Sequence, residues 1–161
     1  MSLDTQVGPV TNPPQFKKIL DYIGIAKGEG AKPVLGGGKA ARPECGDGWF
    51  VEPTIFTGVK NSMRIAQEEI FGPVLAVQTF RTVDEVIQKA NNTPYGLSAG
   101  VWTDKGSKIF NLTSKLRAGV IWANTYNKFD PSSPFGGYKE SGFGREGGRH
   151  GLLPYLKVEG L

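Results

Sequence analysis

Three short apolar runs, at residues 74–77, 97–103 and 119–124, alternate with two stretches of helical period, and this rhythm constrains the fold most. Val74-Leu75-Ala76-Val77 is apolar at every position, the pattern of a strand covered on both faces. Thr82 stands three residues before Glu85, a capping box ahead of Val86, Ile87 and Ala90, which should form the buried side of a helix. Asn91-Asn92-Thr93-Pro94 ends that helix, and a second runs through Ile109, Leu112 and Leu116. Strand, helix, strand, helix, strand is the order of crossover connections. It predicts an α/β layered fold with a predominantly parallel sheet and flanking helices.

Upstream, Pro13-Pro14 suits a first helical turn, where a missing N–H costs nothing. Phe16, Ile19, Leu20, Ile23 and Ala26 then recur at helical spacing, and Gly28 and Gly30 stop the helix. Pro33-Val34-Leu35 reads as a brief strand. A further extended piece spans Phe50-Val51 and Thr54-Ile55-Phe56, with Pro53 placing it at an edge or bulge. Asn61-Ser62 turns the chain. Past Asn124 a polar-aromatic loop occupies residues 125–133, where open α/β sheets place their ligand crevices. An aromatic-glycine stretch follows, and residues 147–156 form a short final helix limited by Pro154. This reading gives one partial domain over 1–161, with a helix and crossover region at 4–124 and a loop and terminal helical segment at 125–161.

The 23 glycines demand positive φ or close backbone approach at many positions, which a plain helical bundle would not need. The net charge of +4 is scattered among acids, which argues against a nucleic-acid partner. No apolar stretch approaches the roughly 20 residues that cross a bilayer, so no membrane role is expected. The opening residues lack the apolar core of a signal peptide, and a cytoplasmic location is expected, with an organellar matrix left open. One cysteine excludes an internal disulfide, and a lone histidine with the one cysteine elsewhere makes a metal site unexpected.

Chemistry concentrates in Gln67-Glu68-Glu69-Ile70-Phe71-Gly72-Pro73, where a carboxylate and an aromatic ring two residues apart can orient a flat polar ligand. On residues alone, a bland reading makes Glu69 a helix cap or, as is usual for a paired acid before an apolar strand, a solvated edge, and Phe71 core. Glu68 should face outward or pair with a cation. Cys45 lies in an acidic, glycine-rich connection that disfavours a thiolate and is read as a loop cysteine. His150 fits a surface contact. Lys139, Arg145 and Arg149 find their simplest partners in solvent, Glu140 and Glu146. Trp122 is the best core candidate among the tryptophans. Phe129 and Phe135, which bracket Pro131 and Pro134, are either structural or an apolar wall.

Four segments then occur in a telling order: Leu3-Asp4-Thr5-Gln6-Val7-Gly8-Pro9, Glu68-Glu69-Ile70-Phe71-Gly72-Pro73, Asn91-Asn92-Thr93-Pro94-Tyr95-Gly96-Leu97-Ser98, and Pro134-Phe135-Gly136-Gly137-Tyr138-Lys139-Glu140-Ser141-Gly142-Phe143-Gly144-Arg145-Glu146. Together they resemble consecutive motifs of the NAD(P)-dependent aldehyde dehydrogenase superfamily, in its carboxy-terminal portion. The resemblance implies oxidation of an aldehyde to a carboxylic acid through a cysteine thiohemiacetal and thioester, with NAD or NADP. It implies that Glu69 bonds the nicotinamide-side ribose and Phe71 packs by the nicotinamide. It also implies that Phe129 and Phe135 line the aldehyde pocket and that Asn124 holds backbone geometry near the site.

The family's nucleophilic cysteine, base glutamate, oxyanion asparagine and cofactor domain have no counterpart here. No catalytic residue is therefore assigned in this chain, and the 161 residues alone are expected to be inactive and to hold no cofactor. A small aldehyde is the implied substrate, and a homo-oligomer or contact with the missing half the implied assembly. A noncatalytic homologue that kept the fold for assembly is the alternative.

Overall fold

Asn12 starts the first helix by accepting the Gln15 N–H on its side chain at 2.9 Å, and Pro13 and Pro14 fill the opening turn. Helix α1 (Pro13–Gly28) buries Ile19, Ile23 and Ala26, the apolar stripe that the sequence spacing sets out. The computed structural model describes residues 3–157 and divides into two compact units, with the boundary between Thr79 and Phe80.

The first unit wraps a three-stranded sheet, β1 (Lys32–Leu35), β2 (Thr54–Thr57) and β3 (Val74–Ala76), in the order β1-β2-β3. The β1–β2 pair is antiparallel and the β2–β3 pair parallel. Phe56 at 0% and Ile19 at 1% exposure centre a core that includes Ile23, Val51, Met63 and Ile70. Burying each of the two largest contributes about 1.5–3 kcal/mol. Two expectations need correction here. The 54–56 segment is the middle strand, not an edge, because Pro53 stands just ahead of it and removes no ladder donor. The run at 74–77 is not covered on both faces, since Leu75 is exposed. A one-turn helix, α2 (Arg64–Gln67), precedes the paired acids and was not anticipated.

In the second unit, α3 (Val83–Asn91) is capped by Thr82, whose hydroxyl accepts from Glu85 N–H at 3.1 Å, while the Glu85 carboxylate accepts from Arg81 N–H at 2.7 Å. Val86 and Ile87 are half-buried, but Ala90, expected on the buried side, is exposed. Of the strand expected at 97–103, only Ser98–Val101 forms a strand, β5, and a separate two-residue strand, β4 (Tyr95–Gly96), precedes it. Strand β5 runs parallel to β6 (Val120–Ala123), with Ser98 opposite Val120 and Val101 opposite Ala123. Helix α4 (Gly106–Lys115) connects them, so this is a strand–helix–strand crossover. Strand β4 pairs antiparallel with β7 (Tyr138–Lys139), which lies inside the stretch read as loop. The chain ends its described part with α5 (Gly148–Leu152) and a 3₁₀ turn at Leu153–Tyr155.

The α/β class therefore holds, with helices flanking mixed sheets. The three apolar runs do not share one sheet. The first pairs with β2, and the second and third pair with each other.

Candidate cofactor and substrate site

Residues 68–73 leave α2 and lead into β3, and their path is set by α1. Gln15 donates its side-chain amide to the carbonyls of both Ile70 and Phe71, each at 2.9 Å. Gly72 passes so close to α1 that an added Cβ would lie 2.6 Å from Ile19 Cδ1. Between these restraints Phe71 takes φ of 56°, a left-handed conformation rare for a bulky residue and costing about 1–3 kcal/mol. Its ring is 75% exposed. Phe71, Gly72 and Pro73 form one wall of an open groove of about 580 Å³, completed by Val7–Asn12, Pro14, Gln15, Lys18, Ile19 and Val51. Glu69 is exposed, lies outside the groove lining, and holds no hydrogen bond or ion pair among the described residues.

Glu68 behaves oppositely. Arg64 meets its carboxylate with two donors, at 2.7 and 2.8 Å, and the Tyr22 hydroxyl donates to it at 2.5 Å. The Arg64 and Tyr22 bonds hold the Glu68 carboxyl down to about 2, while the same pairing raises the Arg64 guanidinium and the Tyr22 phenol. Glu68 is therefore committed to structure, and Glu69 is the carboxylate left facing solvent.

The second unit carries a continuous row of rings. Trp102 stacks near Tyr126 at 6.1 Å, Tyr126 meets Trp122 at 4.8 Å, Trp122 meets Phe129 at 5.4 Å, and Phe129 meets Phe135 at 5.1 Å. Trp122, 8% exposed, anchors the row from β6 and donates its indole N–H to Lys128 O at 2.9 Å. Phe129 and Phe135, singled out from sequence, are thus in edge-to-face contact, and Phe129 keeps 59% exposure. Phe135 is fixed by a two-way backbone bridge to Glu146. Asn124, at φ of 54°, accepts from Thr103 N–H at 2.9 Å and donates to Thr103 O at 3.0 Å.

Lys139 and Arg145 serve main-chain carbonyls, not Glu140 and Glu146. Lys139 Nζ donates to Asn91 O and Thr93 O at 2.8 and 3.0 Å, closing the carboxyl end of α3. Arg145 donates to Gly137 O and Gly144 O, both at 2.8 Å, and lies over the Tyr138 ring. Cys45 sits half-buried in a 3₁₀ turn, Pro43–Cys45, as a free thiol, and His150 is exposed on α5. Gln15 and Trp122 are the residues whose positioning geometry sequence reasoning missed. Among the described residues, no group of three His, Cys, Asp or Glu side chains is placed to hold a metal ion, and no helix is long and apolar enough to cross a membrane.

The donor set fits a dinucleotide in chemistry. A free carboxylate can accept from two neighbouring sugar hydroxyls, and an exposed ring offers a flat apolar face. Parallel strands joined by a helix, with a ring-lined loop beyond their carboxyl ends, are the build of ligand-handling α/β proteins. Within that class the particular family is shown by sequence: the profile of the aldehyde dehydrogenase family matches residues 1–160, and the chain belongs to that family.

The chain is similar to human mitochondrial aldehyde dehydrogenase, 49% identical over 155 residues, which are 96% of this chain and 29% of the human protein. It superimposes with a TM-score of 0.94 and 43% identity on betaine aldehyde dehydrogenase from Staphylococcus aureus in complex with NAD+, covering 97% of this chain and 31% of that one. An aldehyde dehydrogenase from Bacillus cereus, solved as its NAD+ complex, gives 0.93 and 45%, covering 99% and 32%. The chain thus spans under a third of the length of these relatives.

Proposed function

We propose that the whole protein oxidises an aldehyde to a carboxylic acid with NAD or NADP, and that this chain supplies cofactor contacts and part of the aldehyde pocket. The observation that carries the reading is the likeness, at 43% identity over 97% of the chain, to a relative solved with NAD+. In the proposed reaction a cysteine thiolate, from outside these 161 residues, adds to the aldehyde carbon. Loss of hydride leaves a thioester, and water hydrolyses it to the acid and the free thiol. When bound, the nicotinamide supplies the hydride acceptor.

The chain's own residues bind and orient. Glu69 accepts hydrogen bonds from the hydroxyls of the nicotinamide-side ribose, and Phe71 covers the flat ring beside it. Phe129 and Phe135 form an apolar wall for the aldehyde, and Asn124 keeps the loop that carries them in place. Orientation without a nucleophile or oxyanion donors does not catalyse. The 161-residue chain by itself is accordingly inactive and holds no cofactor. The exposed rings and aliphatic side chains, among them Leu35, Leu75 and Phe110, support contact with the rest of the subunit or a homo-oligomer. The reading places the protein in the cytoplasm or an organellar matrix, and the mitochondrial names among the relatives support the second.

The test compares the isolated chain and the full-length protein with NAD, NADP and a panel of aldehydes, following reduced-cofactor absorbance. Turnover is expected from the full-length protein alone. A full-length protein that neither binds a dinucleotide nor reduces it overturns the function. Turnover by the isolated chain that disappears on Cys45→Ser overturns its predicted inactivity.

A further inference from the structure

We propose that Gln15 is a positioning residue for the cofactor: one side-chain amide clamps two successive carbonyls and so holds the Phe71 ring out where the cofactor meets it. The inference rests on the reading that Phe71 touches the cofactor. In an extended chain successive carbonyls point to opposite sides, so one nitrogen cannot serve both. Gln15 Nε2 reaches Ile70 O and Phe71 O at 2.9 Å each, which requires the two carbonyls to turn the same way. At Phe71 the chain meets that requirement with a left-handed φ of 56°.

The clamp has a rigid base. Gln15 sits in the first turn of α1 with its own N–H held by Asn12, and both of its amide hydrogens are committed. Ile19, one turn further, presses on Gly72 and leaves no room for a side chain there. Helix α1 therefore sets the backbone on both sides of the Phe71 side chain. The residue is strained and 75% exposed, so packing gives its ring little support and the backbone restraint is what selects the ring's direction.

The experiment uses the full-length protein and a double-mutant cycle of Gln15→Met, which keeps length and loses both donors, with Phe71→Gly, which accepts the left-handed backbone and loses the ring. The readout is the NAD dissociation constant by calorimetry, with the melting temperature and the kcat and KM for NAD alongside. Gln15→Met is expected to weaken NAD about tenfold, raising KM while kcat at saturating NAD changes less than about twofold. In the Phe71→Gly background the same change is expected to have almost no further effect. Gln15→Asn, whose amide is too short to span both carbonyls, should reproduce Gln15→Met and stands in for it if that variant misfolds. An unchanged dissociation constant in Gln15→Met, or fully additive losses in the double variant, overturns the clamp while leaving Phe71 as a cofactor contact. An unchanged constant in Phe71→Gly overturns the cofactor reading of Phe71 and the clamp with it.

Discussion

The amide of Asn124 pairs with both main-chain groups of Thr103, accepting from its N–H at 2.9 Å and donating to its carbonyl at 3.0 Å. The side chain thereby extends the β5–β6 pairing by one rung after the strands have ended. Each such bond is worth about 0.5–1.5 kcal/mol, and alanine in a left-handed position adds strain. Asn124→Ala should lower stability by about 1–3 kcal/mol, read as an earlier thermal transition. Asn124→Asp should be no better, since a carboxylate cannot donate to the Thr103 carbonyl.

Glu69→Gln tests the cofactor contact in the full-length protein. The substitution keeps shape and removes charge, and a charge-assisted hydrogen bond contributes roughly 1.5–3 kcal/mol. NAD binding measured by calorimetry should weaken on the order of tenfold or more. An unchanged affinity would leave Glu69 as a solvated surface acid.

Phe129→Ala should change selectivity rather than overall activity. The ring is held in T-shaped contacts with Trp122 and Phe135, and the residue keeps 59% exposure. Its loss should lower kcat/KM for large apolar aldehydes about 10- to 100-fold and leave the smallest aldehyde nearly unaffected. A uniform loss across aldehyde sizes would instead mark a folding defect.

Trp122→Phe removes the indole N–H that Lys128 O accepts, together with part of the ring surface packed on Tyr126 and Phe129. The loop ahead of Phe129 should loosen, with faster amide exchange around residues 126–130 and a milder version of the Phe129→Ala selectivity change. Exchange rates matching the parent protein would show that ring packing alone holds the loop.

Glu68 predicts a pH signature. Its folded carboxyl lies at about 2, against an ordinary value of 4.5, because Arg64 and Tyr22 bind the ionised form. A depressed acid stabilises the fold fully above the ordinary value, and that contribution fades as pH falls from 4.5 toward 2. The gap in melting temperature between the parent protein and Glu68→Gln should therefore be widest above pH 4.5 and narrow on acidification. A gap constant with pH would remove Glu68 from the acid response.

Helix α1 could be read from sequence because its signals agreed: two prolines at the entry, an apolar stripe, and Gly28 and Gly30 at the exit. The crossover through α4 was equally clear from its periods. Sheet membership was not, because apolar runs state that strands exist and not which strands pair; Val74–Ala76 joined β2. Strand β7 escaped because two residues carry no alternation. Glu69, Phe71 and Phe135 stand in motif segments and Phe129 is marked by the family resemblance, whereas Gln15 lies 55 residues before its first carbonyl partner and shows in sequence only as an ordinary helical glutamine. Lys139 and Arg145 were misassigned for a related reason: charge suggests acids as partners, and the fold offered bare carbonyls instead.

Gly119 lies so close to Gly136 that any side chain at this position, just ahead of β6, would overlap the Gly136 carbonyl. Strand and aromatic-glycine loop are therefore keyed main chain to main chain, as a dovetail joins two boards, and the rings at 129 and 135 hang from that joint as interchangeable facings. On the proposed reading of Phe129 and Phe135 as the aldehyde wall, a ring can be swapped to retailor preference for one carbonyl compound over another while the main-chain joint stays untouched.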